Sequence, residues 1–220
     1  ANAEDSNVVA CSYYHAWSNG RLQKINPFGT LTTETPHKSK IALIRNHSTM
    51  RLYRRSIITD NHLEFPEDIK RAEDMAFTIP LYTRVDKISI LHKPLYYYFQ
   101  RDTSISNNNK NTDISFYPLA VQRMKENCIK GYSEEIEYRE IMELVYGLTK
   151  VMIESNRSNQ EIKKELIKFD NDHPNWLKNK YLSESSKLKF LYIKLASKKM
   201  CISLRMLNKG YQVLLYIKSR

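Results

Sequence analysis

Residues 87–99, KISILHKPLYYYF, carry the strongest strand signal in the chain. β-Branched and aromatic residues dominate this stretch, and these residue types suit the pleated, half-buried surface of a sheet. Pro94 interrupts it, and proline cannot donate a hydrogen bond to a neighbouring strand. The sequence therefore predicts either two short strands or one strand with an edge or a bulge at the proline.

Further strands are predicted near the start of the chain. Residues 8–14, VVACSYY, are rich in β-formers, and Asn19-Gly20 separates them from residues 21–25 as the two-residue turn of a hairpin would. Residues 30–40 are polar and predict a loop that ends before the apolar residues 41–44.

A short helix is predicted just before the strong strand. Met75, Ile79 and Tyr82 recur at spacings of four and three, as on one face of a helix over residues 72–83. Glu73 and Asp74 lie at its start, where carboxylates suit the helix dipole. Acids at this position are usually caps or solvated groups, so the pair alone indicates no chemistry.

Beyond residue 112 the sequence pattern changes from strands to helices. Residues 106–113, SNNNKNTD, contain no apolar side chain. They predict a linker or an exposed loop. Helices are predicted over residues 118–130, 134–154 and 160–169. The expected fold class is α/β, with a partial mixed sheet followed by an α-helical C-terminal part. Three regions are expected: residues 1–112, 113–176 and 177–220.

The composition is that of an ordinary folded protein. Of the 220 residues, 41% are apolar and 27% charged, and no apolar run approaches the roughly 18 to 20 residues that a membrane-spanning helix needs. The three cysteines form no Cys-x-x-Cys pair, which favours a reducing, cytoplasmic compartment. The five glycines stand apart, so neither common glycine-rich phosphate loop is present. The residues after Ala1 show no signal-peptide pattern, and the chain is expected to start within a longer gene.

Most of the positive charge lies at the end of the chain. Residues 177–220 contain eleven Lys and Arg against one acid, Glu184, and so account for +10 of the net charge of +11. One amphipathic cationic helix is predicted, with Leu188, Leu191, Leu195, Ile202 and Met206 beside Lys187, Lys194, Lys198, Arg205 and Lys209. Such a helix could lie on an anionic membrane or pack on the rest of the protein, whereas nucleic-acid binding lacks a supporting motif.

Four motifs stand in order along residues 5–106: Arg51-Leu52-Tyr53-Arg54-Arg55-Ser56, then Phe65, then Glu73-Asp74, then Leu95-Tyr96-Tyr97-Tyr98-x-x-Arg101-x-x-Ser104-Ile105-Ser106. Together they resemble the second half of bacterial family 2 glycosyltransferases, which share the GT-A nucleotide-sugar fold. Arg51 replaces the lysine usual in the first motif. The aromatic residue that often precedes that motif is not matched by residues 47–50.

The resemblance implies inverting transfer of a sugar from a nucleotide-sugar donor to a glycan or lipid-linked acceptor, in surface polysaccharide synthesis. Asp74 would be the catalytic base, and Glu73 would orient it or contact the acceptor. Arg101 would bind the diphosphate leaving group, with Ser104 as a weaker second contact. The alternative for Arg101 is a surface charge that follows a strand. The alternative for the chain is a non-enzymatic cationic module that binds a membrane surface or a partner protein.

The resemblance also implies what this chain lacks. Such enzymes begin with a β-α-β unit ending in an Asp-x-Asp motif that holds Mg²⁺ or Mn²⁺, and none precedes Ala1. Asp170-Asn171-Asp172 matches the string but follows a predicted helix, as a loop or cap would. We therefore expect an acceptor-side portion without metal ligands that is inactive alone. It would reside in the cytoplasm or peripherally on the inner face of the membrane, and its open sheet edge could pair with another chain.

Overall fold

The computed structural model describes residues 5–101 and 113–219, with side chains up to residue 214. These residues belong to two compact units. The first unit comprises residues 1–107 and 118–136, and the second comprises residues 108–117 and 137–220.

The first unit is built on a four-stranded mixed sheet, which confirms the expected fold class. Its strands are β1 (Val8–Ala16), β2 (Leu22–Ile25), β3 (Arg51–Tyr53) and β4 (Ile88–Phe99). β1 is the central strand: it pairs antiparallel with β2 and β3 along one edge and parallel with β4 along the other. Because β1 has neighbours on both edges, it supplies much of the buried surface of the sheet.

Pro94 marks a bulge within a single strand, which is the second of the two predicted alternatives. Cys11 of β1 lies opposite Leu91, but the next residue, Ser12, lies opposite Pro94. β4 therefore contains extra residues at the point where proline cannot join the ladder. Beyond the bulge the aromatic rings pair across the strands, with Tyr14 stacked on Tyr97 at 5.4 Å between centroids.

The β1–β2 hairpin has a longer turn than the two-residue turn predicted from Asn19-Gly20. The Trp17 N–H donates to the Arg21 carbonyl at 3.1 Å, and the Gly20 N–H donates to the Trp17 carbonyl at 3.0 Å. Three residues, 18–20, thus connect the strands. Gly20 takes φ +81°, a left-handed conformation that the third position of such a loop requires and glycine adopts readily.

Four helices accompany the sheet: α1 (His37–Leu43), α2 (Arg55–Asp60), α3 (Glu73–Thr83) and α4 (Phe116–Asn127). The loop predicted over residues 30–40 is wrong at its end, because α1 begins directly after Pro36. Proline is well tolerated at the start of a helix, where a backbone N–H would have no partner within the helix. The predicted helix before β4 is confirmed, and every residue of α3 from Met75 onward is buried.

The second unit is helical, as predicted. Its elements are the end of α5 (Ser133–Glu140), a π-helical segment (Ile141–Leu148), α6 (Thr149–Glu154), α7 (Asn159–Asp172), two 3₁₀ turns (Trp176–Lys178 and Lys180–Glu184), α8 (Lys187–Ser197) and α9 (Cys201–Ser219). Ile141, Val145, Leu148 and Met152 are buried along one face of the helical residues 141–154, and Leu144 is half-buried.

The single cationic helix predicted for the end of the chain is wrong: it is two helices, α8 and α9. Lys199 takes φ +55° after the last turn of α8. Its N–H donates to the Ala196 carbonyl at 2.8 Å, and the Met200 N–H donates to the Leu195 carbonyl at 3.1 Å. This pair of bonds is a Schellman motif, which ends a helix by closing its last carbonyls. The motif usually uses glycine, so the sequence around Lys199 gives no warning of the break.

Candidate functional site

The Glu73–Asp74 pair lies in the first turn of α3, as the sequence predicts. Ala72 precedes it in a left-handed conformation at φ +62°, so the chain turns sharply into the helix at this point. Both carboxyl side chains are half-buried. Residues on a rigid, buried helix hold their side chains in a defined direction, and the positive end of the helix dipole favours negative charge here.

The two neighbouring carboxylates lie on different sides of α3. Residues four apart share a helix face, so Asp74 shares the face of Thr78 and Glu73 that of Phe77. The Thr78 hydroxyl donates to the Asp74 carbonyl at 2.7 Å and lies 3.5 Å from the Asn46 carbonyl. Asp74 therefore lies on the side of α3 that faces the loop before β3, whereas Glu73 lies on the side of Phe77.

Arg51, the first residue of the basic motif, holds the loop of residues 45–50. Its guanidinium donates to the carbonyls of His47 and Arg45 and, at 3.0 Å, to that of Thr49. A planar guanidinium can serve several carbonyls at once, which a lysine ammonium on a flexible stem does poorly. Arg51 is therefore a structural clamp in this fold.

Further bonds fix the same loop from β1 and β3. The Tyr53 hydroxyl donates to the Ser48 carbonyl at 2.9 Å, and burial raises the pKa of Tyr53, so the hydroxyl keeps its proton. The Cys11 N–H donates to the Met50 carbonyl at 3.0 Å. The loop is thus tied to the centre of the sheet on one side and to α3 on the other.

His47 lies in this clamped loop, close enough to Asp74 for the two side chains to interact electrostatically. Burial lowers its pKa to about 4, with the Arg51 and Arg45 charges acting in the same direction and Asp74 opposing them. His47 is therefore neutral at pH 7. Within the described residues its Nε2 is buried and makes no hydrogen bond.

An aromatic cluster from β1 and β4 contacts His47 through Tyr13. The Tyr13 ring lies edge-on to His47 at 6.3 Å and to Tyr98 at 6.2 Å between centroids, and His15 lies 5.9 Å from Tyr98. Tyr98 is half-buried in this cluster, whereas Tyr96 is exposed. No sequence pattern brings Tyr13, His15 and His47 together, because their proximity depends on the pairing of β1 with β4 and on the clamped loop.

A groove of about 760 Å³ runs beside α3, between residues 62–68 and the end of α4. Phe65, the second motif of the sequence analysis, is 45% exposed and stacks on Phe77 with 4.0 Å between ring centroids. Arg123 contacts Asp68 at 3.4 Å on the groove wall. An exposed aromatic face with polar groups around it can accept the apolar face of a sugar ring.

Arg101 follows the end of β4 and is exposed. The Gln100 N–H still donates to the Ala16 carbonyl at 2.8 Å, so Arg101 emerges where the parallel strands β1 and β4 both end. The carboxyl ends of parallel strands are a common location of ligand sites. Ser104 lies outside the described residues. The roles assigned to Glu73, Asp74, Arg101 and Ser104 stay predictions.

A metal centre does not fit the residues described here. Within residues 5–101 and 113–219, no group of three His, Cys, Asp or Glu side chains could hold a metal ion. Asp170-Asn171-Asp172 forms the last turn of α7 rather than a loop after it. Asp170 accepts a hydrogen bond from Trp176 Nε1 at 2.9 Å and pairs with Lys199, so its carboxylate has a structural role.

His47 predicts a pH dependence of stability. Its pKa falls from 6.5 in the unfolded chain to about 4 in the folded protein. Between pH 6.5 and pH 4 the histidine binds a proton in the unfolded state but not in the folded state. The free energy of unfolding therefore falls as pH drops from about 6.5 to about 4, by about 3 kcal/mol in total. Urea unfolding of the wild type and of His47→Gln across this range should show the difference.

The matched control is His92→Gln, which removes an exposed histidine from β4. The His47 variant should lose most of the decline between pH 6.5 and 4, and the His92 variant should keep it. Identical slopes in all three proteins would contradict the burial of a neutral His47.

Comparisons with known proteins place the chain beside glycosyltransferases. Over 103 residues, 47% of this chain, it is 28% identical to poly(ribitol-phosphate) beta-N-acetylglucosaminyltransferase TarS of Staphylococcus aureus, in both strain Mu50 / ATCC 700699 and strain MW2. The chain spans only 14% of the length of these relatives. No family model matches.

Solved structures of the same protein share the fold. A crystal structure of S. aureus TarS 1-349 in complex with UDP-GlcNAc matches 96% of this chain and 61% of its own length, at a TM-score of 0.58 and 18% identity. The complex with UDP matches with a TM-score of 0.53 and 17% identity, over 96% of this chain and 60% of its own. The chain is thus homologous to part of a glycosyltransferase, TarS, and has the mixed α/β fold of the corresponding part of its structures.

Proposed function

We propose that the chain carries the catalytic base and the acceptor side of an inverting GT-A-type family 2 glycosyltransferase that acts in cell-surface polysaccharide synthesis. The observation that supports this most is the Glu73–Asp74 pair at the start of α3, next to the clamped His47, in a chain homologous to a glycosyltransferase. The relative's name describes transfer of N-acetylglucosamine to poly(ribitol phosphate), and its structures bind UDP-GlcNAc and UDP. A nucleotide-linked hexose or N-acetylhexosamine is the donor class proposed here.

The proposed reaction is a single displacement. An acceptor hydroxyl oxygen attacks the anomeric carbon from the face opposite the nucleoside diphosphate, and Asp74 takes the hydroxyl proton. One carbon–oxygen bond forms, the bond to the diphosphate breaks, and the configuration inverts.

Glu73 and the groove would receive the acceptor. Glu73 lies on the α3 face of Phe77, whose ring supports the exposed Phe65. Arg101 would neutralise charge on the departing diphosphate, and Ser104 would be a weaker second contact. Mg²⁺ or Mn²⁺, expected for the complete enzyme, would be held by residues outside this chain, and no step assigned to Asp74, Glu73 or Arg101 depends on it.

The isolated chain is expected to be inactive, because the donor-binding half would lie in the rest of the protein. Residues 1–220 and the full-length protein should be compared for release of UDP from UDP-GlcNAc with Mg²⁺ or Mn²⁺ and a panel of glycan and lipid-linked acceptors. We expect turnover only by the full-length protein. Turnover by the isolated chain would contradict the proposal that donor binding requires the rest of the protein. An inert full-length protein that binds no nucleotide would favour a cationic module without catalysis.

Location and self-association follow from the same proposal. We place the enzyme in the cytoplasm or peripherally on the inner face of the membrane, where nucleotide sugars are made. Within the described residues, no helix is long and apolar enough to cross a membrane. Among the described strands β4 pairs only with β1, so its outer edge would join a strand of the full-length protein or of a second chain.

A further inference from the structure

Helices α8 and α9 each bury a face other than the predicted apolar stripe. On α8 the buried side chains are Tyr192, Ile193 and Ala196, and on α9 they are Cys201, Leu204 and Asn208. The stripe residues that the sequence analysis assigned to one helix are mostly outside: Leu188 is 41% exposed, Leu191 46%, Ile202 63% and Met206 70%. These residues therefore do not pack on the rest of the protein, because a different face of each helix is buried.

Lysines share the exposed face of α8 with the leucines. Lys187, Leu191, Lys194 and Lys198 recur at spacings of four, three and four, and all four side chains are exposed. On α9, Lys209 follows Ile202 and Met206 at the same helical spacing and is also exposed. Residues 187–219 contain no acid, so no carboxylate on either helix offsets this charge.

Two other basic residues of the region have structural roles and are not part of this surface. Lys199 pairs with Asp170 next to the helix break. Arg205 Nε donates to the Asn159 side chain at 2.8 Å, and its guanidinium also bonds the Arg157 carbonyl. The sequence placed Arg205 in the cationic stripe, but it fastens α9 to the start of α7.

We propose that the exposed side of α8 and α9 binds the surface of an anionic lipid bilayer. This cationic–apolar surface is defined by Leu188, Leu191, Ile202 and Met206 with Lys187, Lys194, Lys198 and Lys209. The aliphatic side chains would enter the boundary between headgroups and acyl chains, and the lysine ammonium groups would contact lipid phosphates. Peripheral binding of this kind needs no membrane-spanning helix.

The chemistry of the surface favours a bilayer over other occupants. A second copy of the same surface would bring its lysines against these lysines, and like charges repel. Single-stranded nucleic acid is bound by aromatic side chains that stack on bases, whereas the defining apolar residues here are Leu, Ile and Met. The proposal does not depend on sugar transfer, because it concerns only α8 and α9.

Co-sedimentation with lipid vesicles tests the proposal on the chain itself. We expect binding to vesicles of phosphatidylcholine with about 30 mol% phosphatidylglycerol to exceed binding to phosphatidylcholine alone at least about tenfold, and to weaken as salt rises. Replacing Lys187, Lys194 and Lys198 together by Gln should weaken binding to the anionic vesicles by about a hundredfold. Ile202→Ser with Met206→Ser should weaken it by about tenfold.

A control variant with the same net charge as the triple lysine variant distinguishes binding through α8 and α9 from attraction due to the overall positive charge. It replaces Lys24, Lys70 and Lys93 by Gln, three lysines that are exposed in the first unit. The control should bind vesicles within about twofold of the wild type. Equal losses in the two lysine variants, or indifference to lipid charge, would overturn the proposal. So would a concentration-dependent dimer in light scattering that disappears in the Ile202/Met206 double variant.

Discussion

Arg51→Ala is expected to lower the free energy of unfolding by about 3 kcal/mol, whereas Arg54→Ala, three residues away in the same motif, should change it by less than about 0.5 kcal/mol. Arg51 donates to three loop carbonyls, those of Arg45, His47 and Thr49. Truncating it leaves those acceptors without their donor. Among the described residues the Arg54 guanidinium pairs with Asp5, whose side chain is 92% exposed, and solvent screens such a pair.

Arg51→Lys separates the clamp from simple positive charge. A lysine ammonium can reach one or two of the three carbonyls but cannot present donors in a plane, so about half of the loss should remain. Urea unfolding measures all three variants. Equal stability of the Ala and Lys variants would show that charge contributes nothing there, and a wild-type-like Arg51→Ala would contradict the clamp.

The bonds from Arg51 to the loop explain why the first basic motif begins with an arginine. The resemblance to glycosyltransferases singled out residues 51–56 as a string, without giving each basic residue a task. In the structure Arg51 folds the preceding loop and Tyr53 bonds the same loop, while Arg55 is exposed. The departure at residues 47–50, where the sequence lacks the usual aromatic residue, coincides with the position of His47.

Local patterns predicted the elements that depend on nearby residues. The strands around residues 8–14 and 87–99 and the helix with Glu73 and Asp74 at its start all follow from side-chain type and spacing. Proline chemistry also predicted an interruption at Pro94, with a bulge as one of two alternatives, and the structure has the bulge. In each case neighbours within a few positions determine the conformation.

Features that depend on tertiary contacts could not be predicted in this way. The His47 cluster combines β1, β4 and the clamped loop, which are up to about ninety positions apart in the sequence. On α8 the apolar residues occupy more than one face, and spacing alone could not tell the buried Tyr192–Ile193 side from the exposed Leu188–Leu191 side. The helix break at Lys199 uses a left-handed residue that is not glycine.

The proposed catalytic base, Asp74, provides the second large effect. In the full-length protein, Asp74→Asn should reduce sugar transfer by about a thousandfold, because an amide of the same shape cannot accept the proton of the acceptor hydroxyl. Asp74 lies in the first turn of α3, before the fully buried residues 75–83, and is only half-buried. The variant should therefore fold and bind the nucleotide-sugar donor as the wild type does.

Asp172→Asn is the matched control. It removes an exposed carboxylate from the Asp-x-Asp string at the end of α7, far along the chain from the proposed site. Transfer by this variant should equal that of the wild type. A loss there would mean that the string has a role beyond the fold of α7.

The most direct test of the account is the rate of sugar transfer by full-length wild type, Asp74→Asn and Asp172→Asn, measured side by side with donor binding by calorimetry. The account predicts transfer that collapses only in the Asp74 variant while all three proteins bind the donor with similar affinity. Full transfer by Asp74→Asn, with its donor binding intact, would contradict the assignment of the base and with it the proposed function of this chain.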